Sequence, residues 1–308
     1  MGITVASFGG TVDMPMMAMF RRLERASPIG LRHVAPSPAL RPYVSSFSLF
    51  HADLAEIEEP LRADLPQLRF VLAGQSEVSL AGRPAEPLLP ISLVGPMMAA
   101  ARFRAKGPVL MFSATLLPAG WAALVREDAM LYRDRQIDAT HIFPSAGDVL
   151  DTMMKLPMVS AMTEALDRLL IGSLPGPRTR TDLSSRFTAI TDKWLLGAPS
   201  PEVGDLLGQL ELSARQVERL AGRLYGAPPK LLARKYRALR SASLLRHDPA
   251  QWQATAAEAF YDQSHMIREV RHFTGLTPRR LQIDPPIMMR LSLDRRNLDI
   301  LPPLAALT

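Results

Sequence analysis

The segment SARQVERLAGRLYGAPP at residues 213–229 is answered by DQSHMIREVRHFTGLTP at residues 262–278, and this doubling decides how the chain reads. Laid one on the other, Ser213 falls on Asp262, Val217 on Met266, Arg219 on Arg268, Leu224 on Phe273, Gly226 on Gly275 and Pro229 on Pro278. Each copy is a cap residue, a helix with one apolar stripe and basic residues elsewhere, then a Gly and a Pro that stop it. Val217, Leu220 and Leu224 make the first stripe, and Met266, Val270 and Phe273 the second. Ser213 with Gln216 three residues on reads as a capping box.

Working outward, residues 202–209 read as a short helix, 210–212 as a tight turn and 213–225 as the first repeated helix. Residues 230–246 form a long basic connector, then 251–259 a second short helix, 260–262 a second turn and 263–274 the second repeated helix. At 1.5 Å per residue the connector spans roughly 25 Å, of the same order as the roughly 34 Å between successive major-groove faces on one side of DNA. Leu183, Phe187, Ile190 and Trp194 add an amphipathic helix ahead of the repeat. A helix fits the major groove, where Arg, Gln, Ser and His on its first turns reach base edges and phosphates. The first copy offers Arg215, Gln216, Glu218, Arg219 and Arg223, and the second Gln263, Ser264, His265, Arg268 and Arg271. The plainer reading of either copy alone is a surface helix whose charges are solvated. Two copies with matched caps and a basic connector favour a pair of reading heads for double-stranded DNA.

The run Tyr261, Asp262, Gln263, Ser264, His265, with Ile267, Arg268, Glu269 and then Phe273, Thr274, Gly275, Leu276, Thr277, Pro278, closely resembles the second helix-turn-helix signature of AraC/XylS-type transcriptional regulators. Leu212, Ser213, Arg215, Gln216, Val217, Glu218, Arg219, Tyr225, Gly226 and Pro229 resemble the first. The resemblance covers residues 182–282. It implies two helix-turn-helix units joined by a long helix and bound to adjacent major-groove segments. Base and phosphate contacts then fall on Arg215, Glu218 and Arg219 and on Gln263, Ser264, His265 and Arg268. The departures, Ala259, Phe260, Ala221, Met266 and Val270, lie on the apolar stripes and not on the polar faces.

Residues 31–117 hold short β-rich segments at 43–50, 68–73, 77–80, 91–94, 101–105 and 109–116, broken by Pro and Gly, and predict a small β-barrel. A helical reading starts at Trp121 and runs irregularly toward Phe143, and a helix pair follows at 145–155 and 159–171. The order of these pieces is similar to the cupin-like sensor domains that precede AraC-type modules, which implies a small effector or a dimer contact. The fold class is therefore α+β in two domains, a cupin-like barrel with flanking helices followed by an all-α DNA-binding domain. The expected divisions are a disordered leader at 1–27, a sensor domain at 28–172, a linker rich in Gly and Pro at 173–181, the DNA-binding domain at 182–283 and a tail at 284–308.

A formal charge of +6 suits a polyanionic partner, and its distribution is more informative than its size. Residues 195–282 carry 13 Lys and Arg against 8 Asp and Glu, which is five of the six net charges. With no cysteine the chain has no disulfide, thiolate zinc site or thiol nucleophile, which excludes the DNA-repair methyltransferases that share the AraC-type module. His33, His51 and His141 lack the paired spacing of metal cupins, so no metal or other cofactor is expected. Asp134 and Asp138 read as loop or cap residues, Trp121 as a core aromatic, and His265 with His272 as surface or phosphate-contacting groups rather than a metal pair. No nucleophile–base constellation suggests an enzyme. No apolar run reaches the roughly 20 residues a bilayer crossing needs, and the first 20 residues do not make a signal peptide. The expected setting is the cytoplasm, without a membrane partner. RNA polymerase, a small effector and a second copy of the chain are the further partners this reading allows.

Overall fold

The computed structural model describes residues 27–176, 183–248, 258–294 and 302–307, together with Met19, Trp252 and Ala256. Most of the expected leader, residues 177–181 of the expected linker with residue 182 after it, and much of the second short helix lie outside the described residues.

Eight antiparallel strands form one sheet: β1 (Ile29–Val34), β2 (Val44–Ala52), β3 (Glu56–Leu61), β4 (Gln67–Leu80), β5 (Glu86–Pro87), β6 (Ile91–Val94), β7 (Ala101–Leu116) and β8 (Gln136–Asp138). The order is β1-β2-β7-β4-β6-β8, with β3 added to β7 and β5 to β4. Residues 68–73 and 77–80, read as two strands, are one. So are 101–105 and 109–116. Gly107 and Pro108 look like a break, yet they sit where β7 leaves its pairing with β3, at Lys106↔Glu56, and takes up β2, at Val109↔Ala52. The strand continues through them because neither residue is needed in a ladder there.

Four strands, β1, β3, β5 and β8, fall outside the expected segments. β3 reads EIEEPL and looks like a charged loop. Its Glu56 and Glu58 face Arg104 and Arg102 of β7, with Glu56 Oε1 2.6 Å from Arg104 Nη2 and Glu58 Oε1 2.8 Å from Arg102 Nη1. The helical reading from Trp121 toward Phe143 is also corrected. A turn at Pro118–Gly120, a π-turn at Trp121–Val125 and a short helix at Ala129–Tyr132 give way to strand β8, whose Ile137 pairs with Leu93 of β6. Left-handed backbone at Arg126 and Asp134 breaks the helical path, and the open edge of β6 selects the strand. Trp121 is a core residue, fully buried, with Nε1 donating to Glu127 O at 2.8 Å. Asp138 caps the turn that follows by accepting from Thr140 N, and Asp134 accepts from Met98 N at 2.7 Å.

One face of the sheet, with Phe47, Phe70 and Phe112, packs on Met153, Met162, Leu166 and Leu170 of helices α1 (Ala146–Lys155) and α2 (Val159–Ser173). The opposite face curls round a common interior lined from β1, β2, β3, β4 and β7.

The rest of the chain is helical: α3 (Leu183–Gly197), α4 (Val203–Gln209), α5 (Ala214–Tyr225), α6 (Pro229–His247), α7 (Gln263–Thr274), α8 (Pro278–Ile283), α9 (Ile287–Asp294) and α10 (Pro303–Leu307). Helix α6 serves three cores in succession. Leu232 and Tyr236 join Val217, Leu220 and Leu224 of α5. Ala238 and Leu239 join Phe103 and Val109 of the sheet. Ala242 and Leu245 join Met266 and Val270 of α7. Helix α9, in the expected tail, is part of the fold, because Glu59 of β3 accepts from its first two amides, Ile287 N at 3.2 Å and Met288 N at 2.6 Å.

Candidate nucleic-acid interface

Helix α5 begins where Ser213 accepts from Gln216 N at 3.4 Å while Gln216 Oε1 accepts from Ser213 N at 2.8 Å. This is the capping box expected from the sequence. It also occupies the Gln216 carbonyl, leaving that side chain its amide as a donor. Val217, Leu220 and Leu224 are buried, so Arg215, Glu218, Arg219 and Arg223 are turned to solvent. The helix stops at Gly226, whose φ of 76° lies in the left-handed region that a side chain resists.

Helix α7 repeats the device with different atoms. Asp262 accepts from His265 N at 2.7 Å, and Gly275 ends the helix at the same φ of 76°. Gln263, Ser264, Arg268 and Arg271 are exposed. His265 is half-buried with its ring edge-on to Phe260, the centroids 5.7 Å apart. Glu269 is the charged residue that turns inward, 6% exposed, and takes a two-pronged bond from Arg234 of α6, with Nε–Oε2 and Nη2–Oε1 both 2.8 Å. Burial alone would raise the Glu269 carboxyl; the hydrogen bonds and charge of Arg234 outweigh it and hold the group below the usual carboxylate range.

The connector does not present the basic face that its composition suggests. Lys235 is 1% exposed, and its Nζ donates to Asp64 O and Met97 O, both at 3.0 Å. Arg234 is committed to Glu269. Arg237 donates to Ser200 Oγ at 3.2 Å and lies 5.3 Å from the centre of the Phe260 ring. Arg240 donates to the carbonyls of Leu195 and Ala198. The reason is positional: α6 is the axis of the helical region, so these long side chains find partners in the elements packed round it, while Lys230 at its start is exposed. Each of these four therefore holds a contact within the protein.

The two repeated helices, by contrast, present exposed cations. Among the described residues no ion pair engages Arg215, Arg219, Arg223, Arg268 or Arg271. Two groups near the second helix escape sequence reasoning. Tyr261, just before the cap, is 95% exposed, and Arg279 and Arg280 are exposed at the start of α8. An aromatic residue beside an N-cap, and an Arg pair after the helix-stopping Pro278, were the available signals. His272 is not free to pair with His265 around an ion: its Nε2 lies 3.1 Å from Met98 O, and its own carbonyl accepts from Ala100 N at 2.8 Å. The carboxyl end of α7 is thus tied to the sheet, while its amino end, with the cap and first-turn polar residues, faces away from that tie.

Residues 206–282 match a family model described as a helix-turn-helix domain. No curated protein sequence matches the chain. Among solved structures, ToxT from Vibrio cholerae O395 is 10% identical, with 75% of this chain and 94% of that one covered and a TM-score of 0.41. The AraC-like transcriptional activator CuxR is 12% identical, covering 74% and 93%, with a TM-score of 0.27. A cupin superfamily protein from Desulfitobacterium hafniense DCB-2 is 20% identical over 29% of this chain and 78% of that one, with a TM-score of 0.23. No described helix is long and apolar enough to cross a membrane.

Proposed function

We propose, taking residues 206–282 as an AraC-type helix-turn-helix domain, that this protein is a sequence-specific regulator of transcription that reads two adjacent major-groove segments of double-stranded DNA. The observation that carries the reading is the pairing of α5 and α7. Each has a buried apolar stripe, a side-chain cap at its start, a left-handed glycine at its end, and Arg residues in water without an ion pair among the described residues. Arg215, Arg219 and Arg223 of the first head and Arg268 and Arg271 of the second neutralise phosphates or bond to base edges. Gln216, Glu218, Gln263, Ser264 and His265 supply shorter polar contacts. Helix α6, at 1.5 Å per residue, sets the heads apart by roughly 28 Å, near the spacing of one helical turn of DNA.

The division of labour we infer is a sheet domain at 28–172, a linker at 173–181 and the DNA-binding domain at 182–283, acting in the cytoplasm and without catalysis. The sheet domain controls the other by binding a small effector or a second copy of the chain, and RNA polymerase is the protein partner such a regulator addresses. A footprint of the full-length protein on DNA upstream of its own and neighbouring genes, at near-physiological salt with nonspecific competitor, tests the reading. Protection of two segments about one helical turn apart supports both heads. Uniform, salt-labile coverage without discrete segments would leave only a basic surface.

A further inference from the structure

The two reading heads are not alike at their starting corners. Laid one on the other, Arg215 of α5 falls on Ser264 of α7 and Gln216 on His265. The first two turns therefore hold Arg215 and Arg219 in the first head, and Arg268 as the one arginine in the second. The residue before the cap differs as well. In the first head it is Leu212, half-buried against the core that holds Val217 and Leu220. In the second it is Tyr261, which is 95% exposed. Among the described residues its hydroxyl makes no hydrogen bond and its ring meets no other ring. An apolar groove lined by Trp252, Phe260 and Met266 opens beside it, yet the ring stands at the rim in water. Extended backbone at Asp262, with φ of −151° and ψ of 170°, carries Tyr261 away from the helix it precedes. Such a ring forgoes the burial that makes aromatic side chains useful in a core. The plainer account is a solvated turn residue, and it predicts that the side chain can be changed without effect.

Position gives the side chain another use. Gln263, Ser264 and Arg268 are exposed with Tyr261, so one polar edge runs from the turn onto the first two turns of α7. The Asp262 carboxylate is turned onto the helix, where it accepts from His265 N at 2.7 Å. When the first turns of a helix lie in the major groove, the residue ahead of the cap stands over the groove's rim, where the sugar–phosphate backbone runs. Tyrosine is among the side chains that bond phosphate oxygens, and a hydroxyl donating to an anion makes one of the stronger hydrogen bonds. Because the donor is neutral, it fixes register without releasing a counterion, unlike an arginine.

We propose that Tyr261 is a DNA-contacting residue of the second head, its hydroxyl donating to a phosphate at the rim of the segment that α7 reads. The inference rests on the DNA-binding reading above and divides the work between the heads. The first, with Arg215 and Arg219 at its start, supplies more of the salt-dependent attraction; the second sets its register at this corner with a neutral donor.

The experiment measures binding of the full-length protein, Tyr261→Phe, Tyr261→Ala and Arg268→Ala to labelled duplexes enriched by the wild-type protein from a randomised pool, over a series of salt concentrations, with thermal melts alongside. The expected result is that Tyr261→Phe, which loses only the hydroxyl, binds about three- to tenfold more weakly. Its Tm and its slope of log K against log salt stay at the wild-type values, whereas Arg268→Ala lowers that slope by about one phosphate contact. Wild-type affinity in Tyr261→Phe overturns the proposal. A loss in Tyr261→Ala without one in Tyr261→Phe does so too, because it assigns the contact to the ring and not to the hydroxyl. A loss accompanied by a fall in Tm overturns it in favour of a structural role, and a changed salt slope shows that the effect runs through a charge. If the wild-type protein enriches no common sequence, the DNA-binding reading falls and this inference with it; if it does and Tyr261→Phe binds equally, this inference alone falls.

Discussion

Lys235 Nζ, on the helix that joins the two reading heads, donates at 3.0 Å to the carbonyl oxygen of Met97 in the loop between β6 and β7. A second bond of equal length runs to Asp64 O. The ammonium is almost fully buried, so the two regions of the chain share a polar contact in a place that is otherwise apolar. Breaking it takes a buried donor from the Met97 carbonyl, while Asp64 O keeps its bond from Met97 N at 3.2 Å. Lys235→Ala is expected to lower stability by about 2–4 kcal/mol in urea denaturation. A change within about 0.5 kcal/mol, the size of an ordinary surface substitution, would mean the contact is idle.

Exposure separates the Arg residues that read DNA from those that build the scaffold. Arg219→Ala and Arg268→Ala should each weaken binding to the footprinted site by about 1–3 kcal/mol and leave thermal stability unchanged. Arg240→Ala should do the reverse, because its guanidinium serves the carbonyls of Leu195 and Ala198. Competition titration against scrambled DNA, run beside thermal melts, checks both halves.

Beneath the first head, Tyr225 donates its hydroxyl to Asp192 Oδ1 at 2.6 Å. Burial pushes the Asp192 carboxyl up to about 7, more than the Tyr225 hydrogen bond brings it down. Its folded value stands above its unfolded one, so its contribution to stability is full below about pH 4 and is lost as pH rises through about 7. Asp192→Asn, which keeps an acceptor for Tyr225, should flatten that decline and be more stable than wild type at pH 8, by an amount on the order of a few kcal/mol. Denaturation midpoints of the two proteins at pH 5 and pH 8 provide the check. Parallel profiles would show that Asp192 is ionised throughout.

The glycines that end the reading helices are also contact points with the sheet region. A Cβ on Gly226 would come within 2.4 Å of Pro96 Cγ, and one on Gly275 within 2.9 Å of Pro60 Cβ, with φ at 76° in both. Gly226→Ala and Gly275→Ala should each cost about 1–3 kcal/mol, and the pair should lower Tm by roughly the sum. A neutral result at either position, measured by thermal unfolding, would argue that the helix end can relax away from the sheet.

How much of this is legible in the chain depends on how local the cause is. The start and stop of α5 and α7 are set by Ser213, Gln216, Asp262, Gly226 and Gly275, each acting on backbone within four residues, and sequence reading finds them. The stripes of Val217, Leu220 and Leu224 and of Met266, Val270 and Phe273 follow from helical periodicity, and they are buried as expected. Ala221 and Val270, which depart from the family pattern on those stripes, are packed to 0% and 1% exposure because α6 lies close against them. By contrast β3 and β8 owe their form to partners 40 or more residues away, Glu58↔Arg104 and Leu93↔Ile137, and no local signal announces them.

The sequence by itself determined that two capped amphipathic helices with Arg on their polar faces follow a β-rich region, because caps, periodicity and side-chain chemistry are short-range properties. Only the tertiary structure decided which cations meet solvent. Lys235, Arg237 and Arg240 look the same in the sequence as Arg219 or Arg268, yet the first is buried and the other two half-buried because α6 is surrounded on several sides and α5 and α7 are covered on one. The same is true of Arg69: an arginine between Leu68 and Phe70 reads as the wet face of a strand, and only the curling of the sheet turns that face into an interior.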